Sequence, residues 1–552
     1  DELTYTLTFT NSGNAVGAVD FTDHLAKVLD DAEVTAQPVA SVDTLTPSAV
    51  VDQTIVVTGS LLPGQTATVT YSVRVLPDGS RGDNRLGNVL VETGEDPPTE
   101  CVEGSANCTE NPVGEIDSWK TVEASETLVA EGTVLTYTLH FANIGAGAGT
   151  VEEVDDLTHV LDDSDVTTEP SSEVLTVVRD GARIAVTGSV AAGATATVTY
   201  SVTVRPDGER GDDVAANFLL KPVDGEVPPV PEEPTCQPTD AERPDCTLTP
   251  IGRLLVSKAV VASADPIVPG TTLTYTLTFE NAGAGPVSVD KSDNLTGVLD
   301  DATLTTVPVV SADGGLTATP VVDGIFSVTG ELAAGQTTTV TYTVTVNEED
   351  ERGDNRAANF VVDDRSTPPP TDCVPESTPC TVTELPRVTS SKSVDPASGT
   401  SVDAGDVLTY TLTFTNDGTA EGPVDFTDHL SRILDDATVT AAPVASDSAL
   451  SAVLGADSIV VTGSLAAGQT VTVTYAVTVS PDGSRGDNRL GNVLVETGED
   501  PPAECVEGSA NCTENPVGEI DSWKSVEASE SPVAEGTVLT YTLHFENIGQ
   551  GA

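Results

Sequence analysis

The sequence predicts an all-β protein: tandem immunoglobulin-like β-sandwich domains in a linear rod, joined by Pro-rich connectors that contain disulfides. Three observations predict this class. Apolar residues alternate with polar ones along Leu135, Tyr137, Leu139 and Phe141, with Thr136, Thr138 and His140 between them, so a strand here has one inward and one wet face. The pattern Leu-Thr-Tyr-Thr-Leu-x-Phe occurs five times, with Tyr at 5, 137, 275, 410 and 541; the spacings of 132, 138, 135 and 131 residues are each the size of one domain. Aromatics make up 4% of the 552 residues, Met is absent, and Gly (47) and Pro (36) are abundant, which suits many small cores rather than one large one.

Each repeat reads in the same order, beginning with the tyrosine strand. A short stretch follows, Leu25-Val28-Leu29 with counterparts Leu157-Val160-Leu161, Leu295-Val298-Leu299 and Leu430-Ile433-Leu434, that fits one or two helical turns. Another strand recurs at Ile55-Val57, Ile184-Val186, Phe326-Val328 and Ile459-Val461, each running into Thr-Gly and then a Pro-Gly or Ala-Gly turn. A second tyrosine strand, Val-x-Tyr-x-Val-x-Val, holds Tyr71, Tyr200, Tyr342 and Tyr475. Arg-Gly-Asp turns follow at Arg81, Arg210, Arg352 and Arg485, where glycine is expected to supply φ > 0. A last apolar strand carries a central Asn. About seven antiparallel strands per repeat make a sandwich. The expected domains are 1–116, lacking its first strand, then 117–252, 253–387 and 388–520, with 521–552 opening a further repeat. The segment from Asp1 nearly recurs from Asp406, a super-repeat of about 405 residues, so the sequence reads as a piece of a longer chain.

Connectors such as 221–250, with eight prolines, are expected to space domains semi-rigidly. They hold all eight cysteines as local pairs: Cys101/Cys108, Cys236/Cys246, Cys373/Cys380 and Cys505/Cys512. Two thiols with no nearby His fall short of the four ligands of a structural zinc site, so the pairs read as short-loop disulfides of an oxidising, extracellular compartment. The 87 acidic against 23 basic side chains give a formal charge of −64, which excludes a nucleic-acid binder, since phosphate recognition needs a basic face. No apolar run is long enough to span a membrane.

Only seven lysines occur, and Lys120, Lys258, Lys392 and Lys524 share one register, about 17 residues ahead of the first tyrosine. An Asn recurs in the last apolar strand as Asn88, Asn217, Asn359 and Asn492, and between them stands Asp23, Asp155, Asp293 or Asp428. A buried amide must find a partner or cost stability. This trio, with the opening Ser/Trp-Lys, the Leu-Thr-Tyr-Thr-Leu-x-Phe-x-Asn-x-Gly strand and the late Ala/Gly-Asn, resembles bacterial cell-surface repeat domains related to isopeptide-forming fimbrial and adhesin domains. The resemblance covers essentially the whole sequence. It implies that Lys120, Lys258 and Lys392 attack the amides of Asn217, Asn359 and Asn492, releasing ammonia, assisted by Asp155, Asp293 and Asp428. Burial, which disfavours charged Lys and raises an Asp pKa, makes that chemistry coherent. A structural reading stands beside it: Asp as N-cap of the short helical stretch, Lys paired with that Asp, and Asn bound to backbone.

The paired acids Asp30-Asp31, Asp162-Asp163, Asp300-Asp301 and Asp435-Asp436 offer oxygens to Ca²⁺ or form a solvated acidic surface; none has EF-hand spacing, and no other cofactor is indicated. No His position is common to all repeats and no phosphate loop occurs, so an enzyme with turnover is not expected, only self-directed bond formation. The expected function is the structural repeat region of a secreted or surface-exposed bacterial fibre, stalk or filament. The alternative is an adhesin that binds a host or neighbouring surface through exposed loops such as the Arg-Gly-Asp turns. Expected partners are further repeats of the same chain and lateral copies of it, with the receptor open.

Overall fold

A computed structural model describes all of 1–552 except residues 103, 224, 239, 313, 375–378 and 507. The chain divides into two compact units, one of residues 1–255, 280–288 and 331–336 and one of 256–279, 289–330 and 337–552.

In the first unit the second repeat shows the sandwich in full. One sheet has strand order Ser164–Ser171, Thr195–Val204, Val134–Asn143 and Ile116–Ala124; the facing sheet runs Thr176–Asp180, Arg183–Val190, Gly149–His159, Val214–Leu220 and Cys246–Pro250. All pairings are antiparallel. Alternation does what the sequence implies: Leu135, Tyr137, Leu139 and Phe141 meet Val198, Tyr200 and Val202 in a core closed to solvent, each large side chain contributing roughly 1.5–3 kcal/mol by burial. The first repeat pairs a three-stranded sheet (Glu2–Thr10, Thr66–Val75, Ala32–Ala40) with a five-stranded one. In the second unit the fourth repeat again has sheets of four and five strands, and Ile520–Ala528 pairs with Leu539–Asn547 as a two-stranded sheet.

The second repeat has nine strands, against about seven expected. One extra strand comes from the loop hairpin at Thr176–Asp180. The other is the tail of the connector, Cys246–Pro250, which pairs with the asparagine strand. The same pairing recurs at Cys108–Pro112, Cys380–Glu384 and Cys512–Pro516. The connectors are therefore only partly spacers, because their second halves fold onto the preceding sandwich. The connector also explains the apolar asparagine strand: Val230, Cys236 and Cys246 pack with Ala216 and Phe218 on its outer face, and Val214–Leu220 is buried from Ala215 to Leu219.

The short helical stretch forms only at Thr296–Leu299 and Ser431–Leu434, with turns in the first two repeats. Its N-cap residues are Leu295 and Leu430, with no side-chain cap, which overturns the capping role for Asp293 and Asp428. The stretch serves as a plug: Leu157 and Val160, like Leu430 and Ile433, are fully buried.

Candidate functional site

Lys120 lies on the edge strand Ile116–Ala124, in register with Leu139, and its side chain is completely buried between the sheets. Tyr137 and Tyr200 sit opposite each other on adjacent strands, rings stacked at 5.3 Å. A stacked pair adds about 0.5–1.5 kcal/mol beyond burial. From the facing sheet come Asp155 and Asn217 on neighbouring strands; Asp155 pairs with Leu219, and Asn217, two residues along, shares the face of Leu219.

The groups form one chain of contacts. Lys120 Nζ donates to Asp155 Oδ1, the Tyr200 hydroxyl donates to Asp155 Oδ2, and Asn217 Nδ2 donates to the Tyr200 oxygen at 2.6 Å. In the third repeat Lys258 Nζ lies 2.6 and 2.7 Å from the two Asp293 oxygens, Tyr342 donates to Asp293 at 2.7 Å, and Asn359 donates to Tyr342. In the fourth, Lys392 is 2.6 Å from Asp428, Tyr475 donates to Asp428 at 2.7 Å, and Asn492 donates to Tyr475. Lys258 and Lys392 also reach the tyrosine oxygens at 3.3 and 3.2 Å. Asn217, Asn359 and Asn492 keep Oδ1 buried with no partner among the described residues. In the first repeat Tyr71 joins Asp23 to Asn88 at 2.8 Å on each side, and Asp23 Oδ1 has no partner there. Lys524 lies over the Tyr541 ring at 4.2 Å.

Burial sets the electrostatics. It pulls Lys120 and Lys392 down to about 8 against the opposing pull of Asp155 and Asp428, and lowers Lys258 as well. Burial raises Asp293, with Lys258 opposing, and raises Asp23 to about 6 where Tyr71 and Asn88 alone oppose it. Both shifts bring neutral amine and neutral acid closer in energy.

The sequence brings Lys, Asp and Asn to notice, and the structure gathers them; the tyrosine between them reads in the sequence only as a strand marker. Its signal lies in the spacing: Tyr71 to Asn88, Tyr200 to Asn217, Tyr342 to Asn359 and Tyr475 to Asn492 are all 17 residues apart, although the repeats differ in length.

The four cysteine pairs are bonded, each with Cα atoms 5.7 Å apart. The Arg-Gly-Asp turns are wrapped around a carboxylate. Asp301 accepts the backbone N–H groups of Gly353, Asn355 and Arg356, and Asp31, Asp163 and Asp436 do the same in their repeats. The expected positive φ falls not on the glycine but two residues later, on Asn84, Asp213, Asn355 and Asn488. Glycine is required for space, since a Cβ on Gly353 would lie 2.6 Å from Asp300 Oδ2. The arginine is turned inward: side chains of Arg81, Arg210, Arg352 and Arg485 are 0–3% exposed, and Arg352 and Arg485 donate to the carbonyls of Pro386 and Gly518 at 2.8 and 3.0 Å. A tripeptide without its guanidinium at the surface has no receptor-facing arginine. The same acids form the clusters Asp30/Asp31/Asp83, Asp300/Asp301/Asp354 and Asp435/Asp436/Asp487, with His159/Asp162/Asp212 in the second repeat; one ligand atom from each residue lies within 4.8 Å of the others. The inner acid of each pair is already bound by three N–H groups, and the Ca²⁺ expectation rests on proximity alone.

No helix among the described residues is long and apolar enough to cross a membrane. No curated protein matches the chain. The chain is similar to the C-terminal domain of the Streptococcus pyogenes antigen I/II-family protein AspA, at 14% identity over 48% of this chain and 99% of that one, TM-score 0.27. It is similar to the Escherichia coli adhesin FdeC at 13% identity over 73% and 98%, TM-score 0.22. It is similar to BcpA, the major pilin subunit of Bacillus cereus, at 11% identity over 72% and 95%, TM-score 0.19. The model of a family described as a domain of unknown function, DUF7927, matches residues 1–113, 115–251, 253–385 and 387–517; these four successive copies take in nearly the whole sequence, and the chain belongs to that family.

Proposed function

We propose that this chain is the structural repeat region of an extracellular bacterial surface fibre or stalk, its sandwiches closed internally by Lys–Asn isopeptide bonds and its connectors by disulfides. The observation that carries this reading is that, in three repeats, a buried lysine meets a carboxylate between the two sheets while that carboxylate and an asparagine amide meet on a single tyrosine hydroxyl. Nζ replaces Nδ2 on the asparagine Cγ and ammonia leaves. The bond ties the edge strand of one sheet to the penultimate strand of the other, so it staples the two layers and resists their separation. Each site reacts once. The buried guanidinium of the Arg-Gly-Asp turns supports a structural over a receptor-binding use of those loops.

The reduced full chain tests this by intact mass: each bond formed with loss of ammonia lowers the mass by about 17 Da. Three losses are expected, with cross-linked peptides joining Lys120 to Asn217, Lys258 to Asn359 and Lys392 to Asn492. A mass equal to that of the sequence removes the covalent reading and leaves a buried ion pair.

A further inference from the structure

In each complete repeat the leaving nitrogen and the carboxylate are joined through one phenol. Tyr200 donates to Asp155 and accepts from Asn217 Nδ2; Tyr342 and Tyr475 repeat the arrangement with Asp293 and Asn359 and with Asp428 and Asn492. These hydroxyls are buried, and their ring partners differ in kind: Tyr137 and Tyr410 stack on them but their own hydroxyls find no partner among the described residues. Two stacked tyrosines of equal burial thus hold unequal chemistry. The one wired to both reacting groups is the one kept at a fixed 17-residue distance from the asparagine.

We infer that Tyr200, Tyr342 and Tyr475 are catalytic residues that carry a proton from the aspartic acid to the departing amide nitrogen; this rests on the isopeptide reading above. Ammonia cannot leave as an amide anion, and the planar amide nitrogen, its lone pair delocalised, only donates to the phenol. Lys120 Nζ first passes a proton to Asp155 and attacks Asn217 Cγ, its lone pair forming the new C–N bond while the carbonyl π pair moves to Oδ1. Cγ is then tetrahedral and Nδ2 has a free lone pair, so the same contact reverses. Asp155 returns its proton to the Tyr200 oxygen as Tyr200 gives its own to Nδ2. The carboxylate next takes the second proton from Nζ, the Oδ1 pair restores the carbonyl, and the Cγ–Nδ2 bond breaks. The products are the amide, ammonia and a protonated Asp155; the tyrosine is unchanged. Burial and the neighbouring Asp155 push the Tyr200 phenol well above its ordinary range, which disfavours a free tyrosinate and requires it to give and take together.

The full chain carrying Tyr200→Phe contains its own controls. Synthesised cell-free and followed by peptide mass, it is expected to form the Lys120–Asn217 bond about 10²-fold more slowly than the two untouched repeats, the usual loss for a general acid. Tyr137→Phe, which removes the unpartnered hydroxyl beside it, is expected to leave the rate unchanged, and hydrogen-exchange protection of Thr195–Val204 reports that the altered repeat has folded. If Tyr200→Phe forms its bond as fast as its neighbours, the tyrosine inference is overturned while the isopeptide reading stands; if no repeat of the unaltered chain forms a bond, the reading beneath it fails first. A chain made with fluorotyrosine, a stronger acid that keeps the hydrogen bonds, is expected to change the rate. An unchanged rate reduces Tyr200 to a positioning role and overturns the proton transfer.

Discussion

A lysine closed off from water has few stable options. At Lys392 the carboxylate of Asp428 lies 2.6 Å away and the rings of Tyr410 and Tyr475 lie 5.0 and 5.5 Å below the ammonium, yet burial outweighs these and holds the amine at about 8. The unfolded lysine titrates near 10.4, so between these values the unfolded chain binds more protons and stability rises with pH. In a chain kept unlinked by Asn492→Ala, the fourth repeat is expected to gain about 2 kcal/mol from about pH 7.5 to about 9.5, below the range in which unfolded tyrosines ionise. The lysine's contribution is absent below its folded value and complete above its unfolded one. Urea midpoints at the two pH values check this, and Lys392→Met in the same background should abolish the gain. An amine already converted to an amide has nothing to titrate, so the Asn492-bearing chain should show no such rise if the bond forms. Lys120, Asp155 and Asn217 were legible in the sequence because scarcity and register single them out. Tyr200 was not, because a tyrosine in an alternating strand satisfies packing before it suggests chemistry.

The connector is where an element changes meaning once folded. Its prolines read as a spacer, but Cys246–Pro250 adds a strand to the asparagine strand and Cys246 is buried beside Ala216 and Phe218. The Cys236–Cys246 bond closes a loop with sequence separation 10, worth about 2–3 kcal/mol by chain entropy. Replacing both cysteines with serine is expected to cost about that much and to free this edge first. Hydrogen exchange should then rise at 246–250 and along Val214–Leu220 before it rises in Thr195–Val204; uniform protection would show that the strand stands without its staple. The Arg-Gly-Asp turn reverses in the opposite sense. In the sequence it offers a receptor motif, whereas in the fold its glycine makes room for Asp300 and its arginine is spent on the Pro386 carbonyl at the end of its own repeat.

Across 552 residues the net charge of −64 is distributed over similar repeats, with an isoelectric point near 4.1. Like charge of this size keeps copies of the chain apart. Light scattering is expected to show no association at neutral pH and low salt, and steep association as the pH falls toward 4 and the carboxylates neutralise. Association at neutral pH that salt does not alter would show instead that a specific lateral contact overrides the repulsion.

Much of this architecture is local in origin. A period of two in the apolar residues, a period near 135 in the tyrosines and cysteines in pairs are properties of the chain, and they suffice to mark the strands with their inward faces, the size of the repeats and the short disulfides, because each is written in residues close in sequence. The site is not local: Lys120 and Asn217 are nearly a hundred residues apart and lie on opposite sheets, joined through Asp155 and Tyr200. Which strand faces which, how far the connector folds back, and whether a charged group is shut away from water depend on how the two sheets close. Burial, and with it the pKa of every group in the site, exists only after that closure.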